Sequence, residues 1–564
     1  MRFADLLLII TILFILGWPF TRLRKRHVRW FDVVPTFAGL QVLVHLFLIG
    51  SRVPMWPLYL LAMLLFLLSL KQLVKPVPIH EQKRSPVGLS LAIVGRMFAL
   101  LLLLLPFLPT SLFSSSQNVQ HLAWIDAFEA MHAQLWQQYA FGQWKAIEWD
   151  ALYAQFAPRI AEAEANDDAD AYYLALREYA FSIPDGHIEL GADKRASAFV
   201  ERLKTEAVGG GYGLALLELD DGRIIAHILL SDGPAAQAGV EWGAEIVAWN
   251  GQPIQEALDE VSILWANLPH ATLEGQQLEK LRFLVRAPID SEAEITYQNP
   301  SANSPTTVRL SAVGDNLETL RRTQILNEEF DPRDPAVQAE ILPSGIGYLK
   351  ITVISAVSGS PTPIQDMREA MQTFIEQDVP GIIIDVRGNV GGMDSMVPNM
   401  VDFFFDTQEV KEALYYEQAA YYSRNTQKFE VDPSSSLFVQ PDTPHYSGPV
   451  VVLIDKGTLS SGEGIPLMIQ RLPQGTIIGT HGTYGSFGLT GGEINLPTGY
   501  ALYFPTGQSL DAKQTIQLDS DHTLQGGVQP DVRVPLTEER ARAMYIEGRD
   551  IVLEFAVDFL QEKR

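Results

Sequence analysis

The chain of 564 residues contains no cysteine. Disulfide bonds, thiolate nucleophiles and zinc sites built on cysteine are therefore excluded. The same count leaves the redox compartment of the protein undetermined.

Positive charge is scarce over most of the chain. The formal net charge is −25, yet residues 1–115 hold 12 Lys and Arg against 3 Asp and Glu, which leaves −34 for the remainder. A field of that sign repels nucleic acid and favours solubility. Binding to DNA or RNA is not expected.

Long apolar runs are confined to the first 115 residues. They lie near residues 6–20, 33–50, 55–70 and 87–113, and their lengths bracket the roughly 20 residues that a spanning helix needs. We expect four transmembrane helices in contact with a lipid bilayer, although the first run could instead be the apolar part of a signal peptide. Lys and Arg cluster after the first and third runs, so the positive-inside rule places everything after residue 115 outside the cytoplasm.

The length and the pattern changes predict a multidomain protein. The expected fold comprises an α-helical membrane region, a small helical domain, a β-rich domain and an α/β core. The predicted boundaries are 1–115 for the membrane helices, 116–205 for the helical domain, 206–300 for the β-rich domain, 301–342 for a linker, 343–540 for the α/β domain and 541–564 for a C-terminal helix.

The β-rich segment resembles a PDZ domain. The resemblance rests on a glycine-rich opening before a strand (Tyr212, Gly213, Leu214 and Ala215), on a helix start at Pro234–Gly239, and on a strand that ends at Trp249–Gly251. It implies that the loop Tyr212–Ala215 and a strand edge bind the carboxyl end of a peptide. A β-rich module without a ligand is the alternative.

Ser460 and Ser461 come directly after a buried strand and at the start of a helix. Unpaired N–H groups and the positive end of the helix dipole would favour a developing oxyanion there. Taken alone, the pattern favours a serine that caps a helix.

Five segments together give this serine a chemical context: residues 381–392, 459–464, 477–488, 501–511 and 526–532. Their order and spacing resemble the catalytic domain of carboxyl-terminal processing (tail-specific) serine peptidases, in which a PDZ domain precedes a crotonase-like α/β core. The resemblance implies that Ser460 is the nucleophile. It also implies an oxyanion hole formed by the N–H groups of Ser461 and of the loop that contains Gly391 and Gly392.

The chain departs from that family at its catalytic lysine, because Ser486 occupies the corresponding position. A serine cannot act as the neutral base that a desolvated lysine provides. Resemblance to the tricorn branch of the superfamily implies His187 as the general base instead. His481 is a rival base, and Ser486 could assist.

The tricorn pattern also has groups that orient the histidine. Gly186 and Leu524 occupy their positions here, which leaves the nearby Asp185 and Glu189 as candidates. Asp385, Arg387 and Asn389 are expected to organise the oxyanion loop. A buried pair of Asp385 with Arg387 is not expected, since both charges would need further partners.

These features predict a membrane-anchored serine endopeptidase that cleaves extracytoplasmic polypeptides and recognises C-terminal tails. No metal or organic cofactor is implied. The alternatives are an inactive peptidase-like adaptor or sensor that binds protein tails, and an esterase that uses the same serine chemistry.

Overall fold

A computed structural model describes residues 117–563 except 327–334, 356–361, 407–414 and 424. The four predicted transmembrane helices lie outside the described residues. Within the described ranges, no helix is both long enough and apolar enough to cross a membrane.

Four helices open the described region. They are α1 (Trp124–Gln138), α2 (Trp149–Ala165), α3 (Ala169–Phe181) and α4 (Lys194–Val208). Aspartates begin the last two, since the side chains of Asp168 and Asp193 accept hydrogen bonds from N–H groups of the first turn. The predicted helices are therefore present. They share a hydrophobic core with strands from residues 489–510 instead of forming a separate domain.

A β-rich module follows. Its strands are β3 (Gly210–Gly211), β4 (Leu214–Glu218), β5 (Ile224–Leu229), β6 (Glu245–Trp249), β7 (Gln252–Pro253), β8 (Arg286–Ala287), β9 (Glu292–Gln298), β10 (Thr306–Ser311) and β11 (Val313–Gly314). Its helices are α5 (Pro234–Gln237), α6 (Ile254–Asp259) and α7 (Leu273–Leu284). The main sheet has the order β10-β9-β6-β5-β4.

The α/β core is built on a six-stranded sheet in the order β12-β13-β14-β18-β19-β22. Its strands are β12 (Val337–Ile341), β13 (Gly347–Ile351), β14 (Ile382–Asp385), β18 (Val450–Ile454), β19 (Gly475–Gly479) and β22 (Val532–Arg533). All neighbours pair in parallel except β12 with β13. The carboxyl ends of the parallel strands therefore meet at one edge, where α/β proteins place their sites.

Helices cover both faces of this sheet. They are α9 (Pro363–Glu376), α10 (Val397–Val401), α11 (Ser461–Ile469), α12 (Glu538–Tyr545) and α13 (Ile551–Glu562). The short helix α8 (Glu318–Arg322) instead contacts α7 and β4 of the β-rich module. Alternate residues of each central strand point to opposite faces. Ile382 and Val450 pack in the cluster that contains α9 and α11, whereas Ile383 and Val451 pack with α13.

A second sheet joins the helical region to the core. Its strands are β1 (Gln117–Asn118), β2 (Glu189–Ala192), β15 (Tyr415–Ser423), β16 (Lys428–Val431), β17 (Leu437–Phe438), β20 (Leu489–Asn495) and β21 (Tyr500–Leu510). Strand β2 pairs antiparallel with β21. This pairing ties the loop at residues 182–188 to the α/β core.

Two predicted boundaries need correction. The segment 301–342 is not a linker throughout, because β10 pairs with β9 and β12 pairs with β13. The alternating apolar residues of β10 are too few to stand out beside its Asn- and Ser-rich approach. The expected single C-terminal helix is two helices, α12 and α13, and α12 begins at Glu538, before the predicted boundary.

Candidate active site

Ser460 lies between β18 and α11, at the carboxyl edge of the six-stranded sheet. It is the N-cap residue of α11 and has φ 56° and ψ −135°, a conformation that a non-glycine residue seldom adopts and that is often found at functional sites. The first N–H groups of α11 have no partner within the helix. The predicted placement of Ser460 at a strand-to-helix turn is therefore present.

A glycine-rich loop after β14 packs directly against this serine. A β-carbon on Gly391 would lie 2.7 Å from Ser460 Cβ and 2.9 Å from Ser461 N, and Gly391 has φ +94°. Asn389 holds the loop, because its Oδ1 accepts from Gly391 N–H at 2.8 Å and its Nδ2 donates to Ile351 O at 2.8 Å. Only glycine permits so close an approach.

This geometry divides the predicted oxyanion-hole residues by role. The Gly391 N–H already donates to Asn389 Oδ1, which leaves the N–H groups of Ser461 and Gly392 as the candidates. The Ser461 side chain is fully buried and its Oγ donates to Asp394 Oδ1 at 2.6 Å. Ser461 therefore supports the turn through its side chain and can offer its backbone N–H to substrate.

His187 lies in the loop between α3 and β2. Its side chain is 8% exposed, and its Nδ1 is 3.6 Å from Asp185 Oδ1. Within the described residues neither ring nitrogen of His187 has a hydrogen-bond partner, so neither is bonded to Ser460. Catalytic hydrogen bonds are often long before substrate binds, so His187 as the base stays a prediction.

Ser486 connects the loop of His187 to the nucleophile. Its carbonyl accepts from Ser460 N–H at 3.2 Å, and its Oγ accepts from Gly186 N–H at 2.8 Å. A β-carbon on Gly186 would lie 3.2 Å from Leu459 Cδ1, which shows how closely this loop packs beside the residue before Ser460. The structure thus brings the predicted residues of positions 186, 460 and 486 together.

Two buried carboxylates, Asp185 and Asp519, lie near His187, and the sequence pattern pointed to only the first of them. Burial alone would raise the pKa of Asp185, but His187 and Lys145 outweigh it and lower the pKa to about 2. Burial raises the pKa of Asp519, and the charge of Asp185 raises it further, whereas the charge of Lys145 lowers it. Asp185 is therefore the ionised partner of His187, whereas Glu189 is exposed on β2.

Asp519 was missed because the orienting acid was sought at Leu524, five positions further along the chain. A buried lysine accompanies it: Lys145 Nζ lies 3.6 Å from Asp519 Oδ1 and donates to Ser520 Oγ at 2.7 Å. The pKa of His187 is raised, because Asp185, Asp519 and Glu463 outweigh the lowering by burial. The sequence signal for Asp519 was an acidic residue seven positions before the glycine pair Gly526 and Gly527.

His481 belongs to a different network. Its Nδ1 lies 3.0 Å from Thr480 Oγ1. Burial lowers the pKa of His481, with Glu274 opposing and Lys456 reinforcing this effect. Lys456 Nζ is 2.9 Å from Glu274 Oε2, at the contact between the core and α7 of the β-rich module. The structure does not join His481 to Ser460 by any described hydrogen bond.

Asp385 and Arg387 form the pair that was not expected. Arg387 donates to both carboxylate oxygens of Asp385, at 2.9 Å and 2.6 Å. The additional partner is Asp550 at the start of α13, 2.6 Å from Arg387 Nη2. That residue is distant in the sequence, so the shared ion pair could not be predicted locally.

The loop Tyr212–Ala215 lies in the β-rich module, far along the chain from the serine. All four residues are buried, and Gly213 has φ +78° with Gly233 packed against it. The Tyr212 carbonyl accepts from Ala235 N–H at 3.0 Å. The loop is therefore fixed by the helix start at Pro234 that the sequence analysis singled out.

A serine in a strained strand-to-helix turn, a glycine loop against it and a buried histidine–aspartate pair define a serine-hydrolase type of site on an α/β core. Residues 345–534 match the model of the family described as "Peptidase family S41". The resemblance predicted from the sequence is supported at this level: residues 345–534, about a third of the chain, are similar to peptidases of family S41.

Two relatives, both processing peptidases by name, agree with this similarity. The carboxy-terminal processing protease CtpB of Bacillus subtilis (strain 168) is 24% identical over 340 residues, which cover 56% of this chain and 59% of that protein. The carboxyl-terminal-processing peptidase 3, chloroplastic, of Arabidopsis thaliana is 24% identical over 374 residues, which cover 65% and 60%. The chain thus spans about three fifths of the length of these relatives.

A solved structure shows the same fold. The structure of mature CPAF complexed with lactacystin superposes with a TM-score of 0.52 at 14% identity, and the match covers 78% of this chain and 99% of that one. At that identity the similarity concerns the fold alone.

Proposed function

We propose that this protein is a membrane-anchored serine endopeptidase that cleaves polypeptides outside the cytoplasm. The observation that carries the proposal is the arrangement of Ser460: it occupies a strained turn at a helix N-terminus, and Ser486 joins it to the loop of His187. The exposed apolar side chains of Val390 and Met393 beside the glycine loop suit an unfolded substrate segment.

In this mechanism Ser460 Oγ attacks the peptide carbonyl carbon while His187 takes the hydroxyl proton. The carbonyl oxygen becomes an oxyanion that the N–H groups of Ser461 and Gly392 stabilise. His187 then gives its proton to the leaving amine as the C–N bond breaks, and water hydrolyses the acyl-enzyme by the same path. Asp185 holds the imidazole and stabilises its cationic form.

Labelling with a fluorophosphonate tests the nucleophile. The full-length chain in mild detergent is expected to be labelled, Ser460→Ala to be unlabelled, and Ser461→Ala to retain labelling, since its hydroxyl only contacts Asp394. Equal labelling of wild type and Ser460→Ala would refute the assignment. Tail binding without labelling or cleavage would favour the adaptor alternative, for which Ser486 in place of the lysine is the supporting observation.

We further propose that the β-rich module is a PDZ domain that binds C-terminal tails. Strand β4 ends the order of its sheet, and the fixed loop Tyr212–Ala215 precedes and opens this strand, an arrangement that suits addition of a peptide strand. Fluorescence anisotropy should show binding of a peptide with a free terminal carboxylate and weaker binding of the same peptide amidated. Equal affinities would contradict this role.

The extracytoplasmic location follows from the basic clusters near residues 22–29 and 71–84. A reporter fused after residue 564 that is active only outside the cytoplasm is expected to be active. A reporter active only in the cytoplasm would reverse the orientation.

A further inference from the structure

Ser486 occupies a fully buried position between two loops of the site. Three of its groups are engaged: its N–H donates to Glu463 Oε1 at 3.1 Å, its carbonyl accepts from Ser460 N–H at 3.2 Å, and its Oγ accepts from Gly186 N–H at 2.8 Å. One residue thus touches the nucleophile's backbone and the loop of the base.

Glu463 fixes Ser486 to the helix that begins at the nucleophile. This buried carboxylate lies in the first turn of α11. It accepts from the Thr483 hydroxyl and from the N–H groups of Gly485 and Ser486, the latter two at 3.1 Å. Thr483 Oγ1 in turn accepts from Val528 N–H at 2.7 Å. The loop 483–486 is therefore held by several connected hydrogen bonds, so the loss of one affects the others.

This geometry also explains why Ser486 is not itself a base. Its Oγ is occupied by an amide donor, and to act as a base the hydroxyl would first have to lose its own proton in a site that already holds several carboxylates. A lysine side chain would displace Gly186 from its place 2.8 Å from Oγ. The site is built for a short hydroxyl at this position.

We infer that Ser486, anchored by Glu463, is a positioning residue that sets the distance between Ser460 and the loop carrying His187. The inference rests on the proposed function, in which Ser460 and His187 act as a pair. Without the hydroxyl, Gly186 N–H loses its buried acceptor and the base loop is no longer held to the nucleophile.

A double-mutant cycle with the full-length protein tests this role. Ser486→Ala is expected to lower kcat for an unfolded peptide about 10- to 100-fold with KM within about threefold, and to change the residual rate of His187→Ala by less than about threefold. Ser509→Ala is the matched control, because Ser509 is also buried and its Oγ accepts an amide N–H, from Gln517 at 3.0 Å. It should stay within about twofold in both backgrounds.

The outcomes separate this inference from the proposed function. If Ser486→Ala resembles Ser509→Ala, or lowers the rate equally with and without His187, the positioning role is refuted while the peptidase assignment stands. If His187→Ala is fully active, the base assignment and the positioning role fall while the peptidase assignment stands; if the wild type cleaves no peptide, the proposed function itself falls. Should Ser486→Ala fail to fold, Glu463→Gln keeps the side-chain size and is expected to lower kcat only when His187 is present; an equal loss in both backgrounds would again refute the inference.

Discussion

The close approach of the glycine loop to the nucleophile makes Gly391→Ala the most informative single change. The new methyl group would lie 2.7 Å from Ser460 Cβ, 2.8 Å from Leu459 O and 2.9 Å from Ser461 N. Two of these three neighbours are backbone atoms of the nucleophile turn, which cannot rotate away as a flexible side chain can. The loop or the turn must therefore move.

Two separate penalties follow. Alanine at φ +94° costs about 1–2 kcal/mol of folding stability for the left-handed backbone alone, and overpacking adds about 1–3 kcal/mol. The larger effect should be on catalysis, because moving one oxyanion donor away from its place costs about 10²- to 10³-fold in kcat. KM should change little, since the loss falls on the transition state.

Gly345→Ala separates backbone strain from the clash. Gly345 lies in the same core with φ +83°, and a β-carbon there would meet no atom within 4 Å. It should lose about 1–2 kcal/mol of stability while kcat/KM for a fluorogenic peptide stays within about twofold of wild type. Urea unfolding and steady-state kinetics measure both quantities for both variants. If Gly391→Ala keeps kcat/KM within about threefold of Gly345→Ala, the loop does not serve the transition state and the reasoning is refuted.

Three further changes test the surroundings of the base. Asp185→Asn removes a carboxylate that raises the pKa of His187 and leaves the burial that lowers it. The acidic limb of the plot of kcat/KM against pH should therefore move to lower pH, and kcat should fall about 10²- to 10⁴-fold. An acidic limb that stays in place would contradict the pairing of Asp185 with His187. Lys145→Met removes the cation beside Asp519 and should cost about 3–5 kcal/mol in urea unfolding, and a change below about 1 kcal/mol would count against the buried ion pair. Asn389→Ala frees the glycine loop and should lower kcat at least tenfold without weakening tail binding; unchanged kcat would show that the loop needs no anchor.

The features of the site that depend on local sequence pattern could be predicted from the sequence. The run of apolar residues before Ser460 and the helix after it predicted the strand-to-helix turn, and the glycines at 391 and 392 predicted a close backbone approach. These features are set by neighbours within a few positions, where strand period and glycine conformation are informative. The predicted α/β core and its helices near Ser460 are confirmed by the parallel sheet.

The sequence could not supply the partners that come from distant parts of the chain. Asp519 and Lys145 meet near His187 only because β2 pairs with β21 and the helical region packs on the same sheet. Likewise, Asp550 makes the Asp385–Arg387 pair possible from more than a hundred positions away. Local periodicity carries no information about such contacts, which depend on tertiary pairing.

The charges around His187 suit its proposed role as the base in place of the lysine that carboxyl-terminal processing peptidases use. A desolvated lysine is a base because burial favours its neutral form. Here burial raises the pKa of Asp519, whereas His187 and Lys145 keep Asp185 ionised, with a pKa of about 2. At neutral pH the ionised Asp185 is therefore available to stabilise an imidazolium, and the nearby cation of Lys145 offsets part of the negative charge. In the proposed mechanism, the positive charge that His187 gains with the serine proton faces an ionised Asp185 that is already in place, so little reorganisation is needed to stabilise this charge.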